Sequence, residues 1–358
     1  MKRICFLSGD ITRSGGTEKV ACQIMNGLCD TYQVIVISLF EKNDRCFYSL
    51  DERIKRVKLF EHNPGGIKNY VSIVRKLKKI LKEKQIDILI DIDSILDMFS
   101  VMAVRGLHTK LISWEHFNFY ESMGNRFRVP IRKYITKKAD VIVTLTKEDQ
   151  LTFIKVHRGQ SRVEQIYNPI EFEHTSLKYN SDSKTIISVG RLAKQKGFDY
   201  LIDVANIVLK QHPDWNWIIL GEGDERPLLE AGIAEKRLDN LRLMGKVSNV
   251  SEYLKEASLF VLTSRYEGFP LVLIEAKANL LPVVSFKCKT GPAELVRDSV
   301  NGYLVDCFNI EEMAVKICKL IESYDLRESF SQKALLDTEK MDYSLIIEQW
   351  KKILETVG

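Results

Sequence analysis

The sequence predicts an α/β protein made of two doubly wound domains, each built on a parallel sheet. Short apolar runs without strict alternation recur along the chain, as expected for strands that are covered on both faces. Helical patterns separate these runs, and the alternation stops at a polar stretch near residue 170 before it begins again. A chain of 358 residues with 45% hydrophobic content can form two cores of ordinary size.

The predicted strands form two series, one on each side of that polar stretch. The first series is RICFLS, YQVIVISLF, DILIDI, KLISW, DVIVTLT and VEQIYN, and the second is TIISVG, WNWIIL, NLRLMG, LFVLTS, LPVVSF and GYLVD. Between them, Asn168-Pro169 and the turn-forming segment EFEHTSLKYNSDSK predict a linker. We therefore expect domains at 1–170 and 171–340, and a final helix at 341–358 whose apolar stripe, with Trp350, packs back toward the first domain.

Neither a membrane span nor a disulfide framework is indicated. No apolar run approaches the ~18 residues of a membrane span, and the N-terminal MKRICFLSGD turns polar too early for a signal peptide. The seven cysteines include no CxxC pair, so we expect buried thiols rather than disulfides or a zinc site. These patterns predict a cytoplasmic protein.

Positive charge is concentrated in the first half of the chain. Residues 1–170 contain 29 Lys+Arg and 19 Asp+Glu, a net charge of +10, which leaves −5 for the remainder of the +5 total. Much of it lies in KNYVSIVRKLKKILKEK (68–84), which predicts an amphipathic helix with a lysine-rich outer face, and in NRFRVPIRKYITKKAD (125–140).

Two interpretations of these basic segments stay open. In one, the helices pack on a core and their charged faces are simply solvated. In the other, the helices and the aromatic residues Phe117, Phe119, Tyr120 and Phe127 lie on an anionic membrane, which would make the protein peripheral on the inner face of the plasma membrane.

Glycines and cations follow two of the predicted strands. Gly15-Gly16 precede a helical pattern, where absent side chains would let a ligand approach backbone N–H groups; the alternative is an ordinary turn. The spacing is not the GxGxxG of dinucleotide-binding proteins. Arg191 and Lys196 lie at a strand end and a helix start, where they can converge on a diphosphate unless they are solvated surface cations.

The segment SRYEGFPLVLIEA places two carboxylates, Glu267 and Glu275, after the strand LFVLTS. Pro270 is suited to the first helical position, so Glu267 is expected in the loop above the strand and Glu275 one turn into the helix. Carboxylates accept hydrogen bonds from paired hydroxyl groups such as those of a sugar or ribose. The alternative for Glu267 is a charge that interacts with the helix dipole.

Taken together, GRLAKQKG, ILGEGD, MGKVSNVSEYL, SRYEGFPLVLIEA and TGPAELVRDSVNGYLV resemble the donor-binding half of the retaining family 4 glycosyltransferases. The resemblance is strong over residues 184–323 and looser in the first half, through SGGTEKV and WEH. It implies the GT-B fold, with two Rossmann-like domains that face each other across a cleft, the first for the acceptor and the second for the nucleotide sugar.

The resemblance also implies roles for individual residues. Glu267 resembles the family's carboxylate at the donor sugar, Glu275 the one at the ribose, and Arg191 with Lys196 the pair at the diphosphate. The other residues implied are Gly15 and Gly16 at the diphosphate, His116 near the donor sugar and acceptor, Val247 at the base, and Gly268, Phe269 and Leu271 in the donor loop. Many members have glycine where this chain has Pro270, so the amides of Phe269 and Leu271 are expected to serve the sugar instead.

The implied function is retaining transfer of a hexose or N-acetylhexosamine from a UDP-sugar to a glycan acceptor. The basic first half suggests an acceptor on polyprenyl diphosphate, as in capsule, exopolysaccharide or O-antigen synthesis. DIDSILD (91–97) contains the letters of a DxD motif but begins inside a strand, so we interpret it as structural and expect no metal, cofactor or nucleic-acid partner. The alternatives are a non-catalytic nucleotide-sugar or glycan-binding protein and an NAD-dependent oxidoreductase. The oxidoreductase is favoured only by Glu41, an acidic residue at the end of the second predicted strand.

Overall fold

The chain divides into two compact units. The computed structural model describes residues 1–122, 124–157, 159, 161–170 and 178–357, except the side chains of residues 66 and 67. One unit comprises Met1–Pro169 with Tyr343–Gly358, and the other comprises Ile170–Asp342. Residues 171–177 of the predicted linker lie outside the described residues.

A seven-stranded parallel sheet forms the centre of the first unit. Its strands are β1 (Arg3–Ser8), β2 (Gln33–Ser38), β3 (Lys55–Lys58), β4 (Ile88–Ile92), β5 (Lys110–Trp114), β6 (Val141–Thr144) and β7 (Arg162–Gln165). They lie in the order β3-β2-β1-β4-β5-β6-β7. The strand order reverses between β1 and β4, and ligands of doubly wound sheets bind at such a switch point.

The sequence prediction missed β3. This strand, KRVK, pairs with β2 from Lys55 opposite Ile35 to Lys58 opposite Ser38. Both of its lysines are exposed because the strand forms the edge of the sheet. An edge strand needs no continuous apolar run, and its charged side chains oppose pairing with other chains.

Helices cover both faces of this sheet, as its apolar strands require. They are α1 (Gly16–Leu28), α2 (Tyr70–Glu83), α3 (Asp97–Val104), α4 (Arg128–Ile135) and α5 (Lys147–Val156), with short 3-10 helices at Gly66–Asn69 and Ser94–Leu96. The amphipathic pattern of α2 is confirmed: Ile73, Leu77 and Leu81 are buried, and its lysines lie on the opposite face.

The second unit repeats the architecture around a six-stranded parallel sheet of order β10-β9-β8-β11-β12-β13. Its strands are β8 (Thr185–Val189), β9 (Asn216–Leu220), β10 (Leu241–Gly245), β11 (Leu259–Leu262), β12 (Val283–Phe286) and β13 (Gly302–Val305). Its helices are α6 (Phe198–Gln211), α7 (Arg226–Lys236), α8 (Val250–Lys255), α9 (Leu271–Ala278), α10 (Pro292–Leu295), α11 (Ile310–Glu322) and α12 (Tyr324–Gln332), with short 3-10 helices at Lys194–Lys196 and Glu339–Met341. All six strands of the second predicted series are present.

The last helix, α13 (Tyr343–Val357), packs within the first unit. Trp350 is fully buried, and its ring lies edge-on to that of Trp114, with 4.8 Å between the ring centroids. Gly27 of α1 leaves room for this helix, because a Cβ atom there would lie 2.3 Å from Cδ1 of Ile347.

Within the described residues, no helix has both the length and the apolar character required to cross a lipid bilayer. All seven cysteines are free thiols; five are buried, whereas Cys46 and Cys307 are half-buried.

Candidate active site

The loops that follow β8 and β11 carry two of the predicted charged residues and bring them together. We call residues 190–197 the β8 loop and residues 263–270 the β11 loop. Lys196 donates a hydrogen bond from Nζ to Oε1 of Glu267 at 2.6 Å, and Ser264 Oγ donates to the same oxygen at 2.6 Å. Glu267 is only 5% exposed, so its charge is compensated by protein groups rather than by water.

Further hydrogen bonds connect the two loops around this ion pair. The backbone N–H of Arg265 donates to the carbonyl of Gln195 at 2.8 Å, and Nε2 of Gln195 donates to the carbonyl of Tyr266 at 3.2 Å. Thr263 Oγ1 donates to the carbonyl of Lys196 at 3.1 Å. The two loops therefore form one connected structure at the carboxyl ends of β8 and β11.

Two glycines permit close contacts with the β11 loop. Gly197 has a φ of +63°, and a Cβ atom there would lie 2.1 Å from the carbonyl oxygen of Thr263. Gly291 has a φ of +89°, and a Cβ atom there would lie 2.5 Å from Cδ of Pro270. A side chain at either position would move the β11 loop and combine a clash with an unfavourable backbone conformation.

The structure places Arg191 and Val247 in loops that follow the strands of the same sheet. Arg191 is exposed in the β8 loop, so its guanidinium is accessible to a ligand. Val247 is half-buried between β10 and α8.

The helix after the β11 loop begins at Leu271, and Pro270 precedes it as the N-cap residue. Pro270 has a ψ of 97°, outside the helical region, and Leu271 is the first residue of α9. The prediction of Pro270 at the first helical position is therefore wrong by one residue. Gly268 and Phe269 are buried just before it, and Glu275 is half-buried in the second turn of α9.

In the first unit, Gly15 and Gly16 begin α1 as predicted, and a carboxylate lies over them. Gly15 precedes the helix with φ −82° and ψ 161°, and Gly16 is its first residue. A Cβ atom on Gly15 would lie 2.2 Å from Oε2 of Glu18, so this side chain folds back over the helix start. Burial raises the pKa of the Glu18 carboxyl. Glu18 is not among the site residues predicted from the sequence, although glutamate at the third helical position is typical of a capped helix.

His116 is buried two residues after β5. Its side chain is 5% exposed, and its ring lies against that of Trp114, with 4.4 Å between the centroids. Burial lowers the pKa of His116 to about 4, against the opposing effect of the Asp93 charge. The imidazole is therefore neutral at pH 7. Its Nε2 atom is buried and has no hydrogen-bond partner among the described residues.

A buried ion pair that the sequence analysis missed lies beside His116. Arg132 of α4 donates from Nε to Oε2 of Glu115 at 2.5 Å and from Nη2 to Oε1 at 3.1 Å. Ser94 Oγ also donates to Glu115, as does the backbone N–H of Phe117 at 2.9 Å. Because neither ionic side chain is accessible to solvent, this pair fixes the segment that carries His116 against α4.

The segment DIDSILD forms two different carboxylate sites. Asp93, with a φ of +92°, accepts two hydrogen bonds from Arg128, from Nη1 at 2.7 Å and from Nη2 at 2.8 Å. Asp91 and Asp97 are buried and accept hydrogen bonds from Ser100 and Ser113, respectively. Burial raises the pKa of Asp91 to about 7 and that of Asp97 well above its usual range, the latter with a contribution from the charge of Asp91. In the described part of the chain, no three His, Cys, Asp or Glu side chains could hold a metal ion together.

The four aromatic residues expected at a membrane surface differ in their exposure to solvent. Phe119 is fully buried against Phe153, with 4.7 Å between the ring centroids, so the prediction that Phe119 contacts a membrane is wrong. Phe117 is half-buried beneath the Arg128 guanidinium. Tyr120 and Phe127 are exposed.

Comparison with known proteins decides the family. A model of glycosyl transferases group 1 matches residues 169–336, and one of Glycosyltransferase Family 4 matches residues 14–174. An uncharacterized glycosyltransferase of Haemophilus influenzae is 36% identical over 357 residues, which cover 99% of this chain and 100% of the relative. The chain belongs to glycosyltransferase family 4.

Two further relatives of this glycosyltransferase carry more specific names. The amylovoran biosynthesis glycosyltransferase AmsD of Erwinia amylovora is 28% identical and covers 99% of this chain and 100% of its own. An α-1,4-N-acetyl-D-galactosaminyltransferase of Campylobacter jejuni, named for a GalNAc-containing diNAcBac-PP-undecaprenol, is 25% identical and covers 100% of this chain and 99% of its own.

A solved structure confirms the GT-B fold class. A variant of S. aureus TarM in complex with Fondaparinux, alpha-GlcNAc-glycerol and UDP has a TM-score of 0.84 and 19% identity, and the likeness covers 99% of each chain. At this identity the likeness concerns the fold, in which two α/β units, each with a parallel sheet, follow one another along the chain.

Proposed function

We propose that this glycosyltransferase moves a hexose or N-acetylhexosamine from a UDP-sugar to a glycan acceptor with retention of configuration. The observation that carries the proposal is the ion pair between Lys196 and Glu267. It joins the motifs GRLAKQKG and SRYEGFPLVLIEA, so a cation for the diphosphate and a carboxylate for the sugar lie side by side. The UDP in the TarM complex supports a uridine nucleotide as the donor.

The proposed role of Arg191 and Lys196 is to stabilise the leaving group. Negative charge develops on the diphosphate as the glycosidic bond breaks, and cations held in position stabilise it most where the site excludes water. The ammonium of Lys196 has three N–H donors, so it can bind a phosphate oxygen while it remains paired with Glu267. We propose that these two cations act without a metal ion, and activity is then expected to persist in EDTA.

The remaining residues of the second unit are proposed to bind the rest of the donor. Glu267 would accept hydrogen bonds from sugar hydroxyls, and Glu275 from the ribose hydroxyls, because a carboxylate accepts from paired hydroxyls. The backbone of Val247 would contact the base. The residues proposed to contribute backbone groups at the sugar are Gly268, Phe269 and Leu271.

The first unit is proposed to contribute Gly15, Gly16 and His116 to the same reaction. The start of α1 has backbone N–H groups and a positive dipole end that would bind a phosphate in place of the Glu18 carboxylate, which lies over Gly15. Because His116 is neutral and its Nε2 has no partner among the described residues, it suits a hydrogen bond to a hydroxyl group. With so low a pKa it is a weak base, so we propose an orienting role rather than proton abstraction.

The acceptor is proposed to be a glycan on polyprenyl diphosphate, in the synthesis of a capsule, exopolysaccharide or O-antigen. The names of the Erwinia and Campylobacter relatives support this class. The first unit also offers a surface for an anionic membrane, since α3 packs against both basic helices, α2 and α4. The exposed apolar residues of this region are Val71, Met102, Tyr120, Phe127 and Tyr134, and its exposed cations are Arg75, Lys79, Lys82, Lys133, Lys137 and Lys138.

Vesicle flotation tests the membrane contact. The protein is expected to float with vesicles that contain anionic lipid at low salt, and to remain unbound with neutral vesicles or at high salt, because salt screens exposed charges. Failure to bind anionic vesicles at low salt would exclude the membrane contact without affecting the proposed reaction.

Incubation with a panel of nucleotide sugars tests the reaction. We expect slow release of UDP from one UDP-sugar without acceptor, and NMR of the released sugar is expected to show first the anomer present in the donor. A Glu267→Gln variant should lose this hydrolysis. Turnover of no UDP-sugar, or first release of the opposite anomer, would contradict the donor or the retaining mechanism, respectively.

A further inference from the structure

Beyond the residues proposed to touch the donor, one arginine connects the two loops that carry them. Arg265 lies in the β11 loop, two residues before Glu267. Its Nη1 donates to Oδ1 of Asp199 at 2.8 Å, and its Nη2 donates to Oδ2 of the same carboxylate at 2.5 Å. Asp199 is the second residue of α6, directly after the β8 loop.

The same arginine also contacts the β8 loop itself. Nη1 of Arg265 donates to the carbonyl of Lys194 at 2.7 Å, and its backbone N–H donates to the carbonyl of Gln195. The guanidinium lies over the ring of Tyr200, 4.3 Å from its centroid. Arg265 therefore contacts the chain on both sides of Lys196, at residues 194 and 195 and again at residues 199 and 200.

We propose that Arg265 and Asp199 are positioning residues of the donor site, which keep Lys196 of the β8 loop and Glu267 of the β11 loop at the spacing that a sugar diphosphate requires. The inference rests on the proposed function, because it assigns Lys196 to the diphosphate and Glu267 to the sugar. Neither Arg265 nor Asp199 is proposed to touch the donor.

Geometry distinguishes this pair from an ordinary surface ion pair. The Arg265 side chain is 18% exposed and that of Asp199 is 44% exposed, so what sets the pair apart is the arginine: its guanidinium pairs with both oxygens of one carboxylate and also contacts the Lys194 carbonyl and the Tyr200 ring. A bidentate pair fixes the orientation of the guanidinium as well as its distance from the carboxylate. A lysine ammonium, which acts as a point charge, fixes the distance alone. Loss of the Arg265 guanidinium would free the β11 loop to shift. A displacement of about 1 Å of a group at the reacting centre is enough to lower the rate about 100-fold.

The test uses Arg265→Ala, Arg265→Lys and Asp199→Asn in the full chain. Arg297→Ala is the control for pairing geometry, since Arg297 forms a more exposed bidentate pair with Asp337, at 2.5 and 2.7 Å, elsewhere in the same unit. We expect Arg265→Ala to lower kcat for UDP-sugar hydrolysis about 10- to 100-fold. Arg265→Lys and Asp199→Asn should lose less, and Arg297→Ala should retain wild-type kcat. Binding of uridine monophosphate is expected to change less than binding of the UDP-sugar.

A double-mutant cycle separates positioning from a general loss of structure. If Arg265 acts through Lys196, the effect of Arg265→Ala on UDP-sugar affinity should largely vanish in a Lys196→Met background. Additive losses in the cycle, or wild-type kcat in Arg265→Ala, would overturn the inference. If Arg265→Ala fails to fold, Arg265→Lys and Asp199→Asn are used in the same cycle. If the wild-type protein neither binds UDP nor turns over a UDP-sugar, the proposed function itself fails, which is a different result.

Discussion

The Nζ atom of Lys196 lies 2.6 Å from Oε1 of Glu267, although 71 residues separate them along the chain. The Lys196 side chain is 16% exposed and that of Glu267 is 6% exposed. Two such groups are stable together, whereas removal of one partner leaves a charge with little solvent around it. The pair is therefore expected to matter for both stability and catalysis.

Substitutions at the two positions should differ in their effect on stability. Lys196→Met leaves the Glu267 carboxylate with the Ser264 hydroxyl as its one remaining side-chain donor among the described residues, whereas Glu267→Gln keeps an oxygen that can accept from both donors. We expect Lys196→Met to lower the free energy of unfolding by about 1–3 kcal/mol more than Glu267→Gln does. Both should lower kcat about 100-fold or more. Urea denaturation and UDP-sugar hydrolysis measure the two effects.

Lys184→Met is the control for that comparison. Lys184 forms an exposed pair with Asp214 at 2.6 Å, and an exposed pair contributes about 0–1 kcal/mol. Equal destabilisation by Lys196→Met and Glu267→Gln would contradict the account of the buried carboxylate.

His116 is expected to make the protein less stable as the pH falls. Burial lowers its pKa from 6.5 to about 4, so between these values the unfolded chain takes up a proton on this histidine and the folded chain does not. The histidine's contribution therefore decreases as pH falls through this window, by up to about 3 kcal/mol. His116→Gln should show a smaller loss between pH 7 and pH 4.5. Parallel stability profiles for wild type and variant would exclude this effect.

Asp91 and Asp97 are expected to make the protein less stable as the pH rises. Their pKa values are raised, that of Asp91 to about 7. The folded chain therefore keeps these carboxyl groups protonated at pH values above 3.8, where the unfolded chain releases the protons. Their contribution is fully present below pH 3.8, and the part due to Asp91 is lost as the pH rises toward 7. One buried oxygen of each carboxylate, Oδ2 of Asp91 and Oδ1 of Asp97, accepts from no other donor among the described residues, and the two carboxyl groups perturb each other's pKa, which fits a proton shared between them.

Asp97→Asn tests this carboxyl pair. The amide can accept from Ser113 and donate to Asp91 without a titratable proton, so the variant should gain stability relative to wild type as the pH is raised from 4 to 8. Urea denaturation across this range measures the difference. A constant difference between the two proteins would show that the pair does not titrate as described.

Arg132→Met should be among the more destabilising single substitutions in the first unit. It leaves the Glu115 carboxylate buried and unpaired, which costs about 3–5 kcal/mol. The double variant Glu115→Met/Arg132→Met should be less destabilised, because no charge remains. Arg162→Met, which removes an exposed pair with Glu164 at 2.9 Å, is the control. A double variant less stable than Arg132→Met alone would contradict this account.

The repeated β and α patterns were predictable from sequence because they depend on continuous apolar runs. The runs predicted twelve of the thirteen strands that the described residues form, and they missed β3 because it is a charged edge strand. Lys196 and Glu267 were predictable as candidates, since each follows a recognisable strand.

Contacts that depend on tertiary structure were not predictable in the same way. Arg132 and Arg265 are cations like many others in the sequence, and only the fold shows that each meets a carboxylate across an element boundary. Phe119 stands in an aromatic run with Phe117 and Tyr120, yet it alone turns into the core. The depressed pKa of His116 likewise arises from burial, which a motif does not reveal.

A crystal structure of the protein with a UDP-sugar, or its unreactive analogue, tests the central claim most directly. We expect the diphosphate within hydrogen-bonding distance of Lys196 Nζ and the Arg191 guanidinium, with the sugar hydroxyls at Glu267 and the ribose at Glu275. A nucleotide bound away from the β8 and β11 loops, with the Lys196–Glu267 pair untouched, would contradict it.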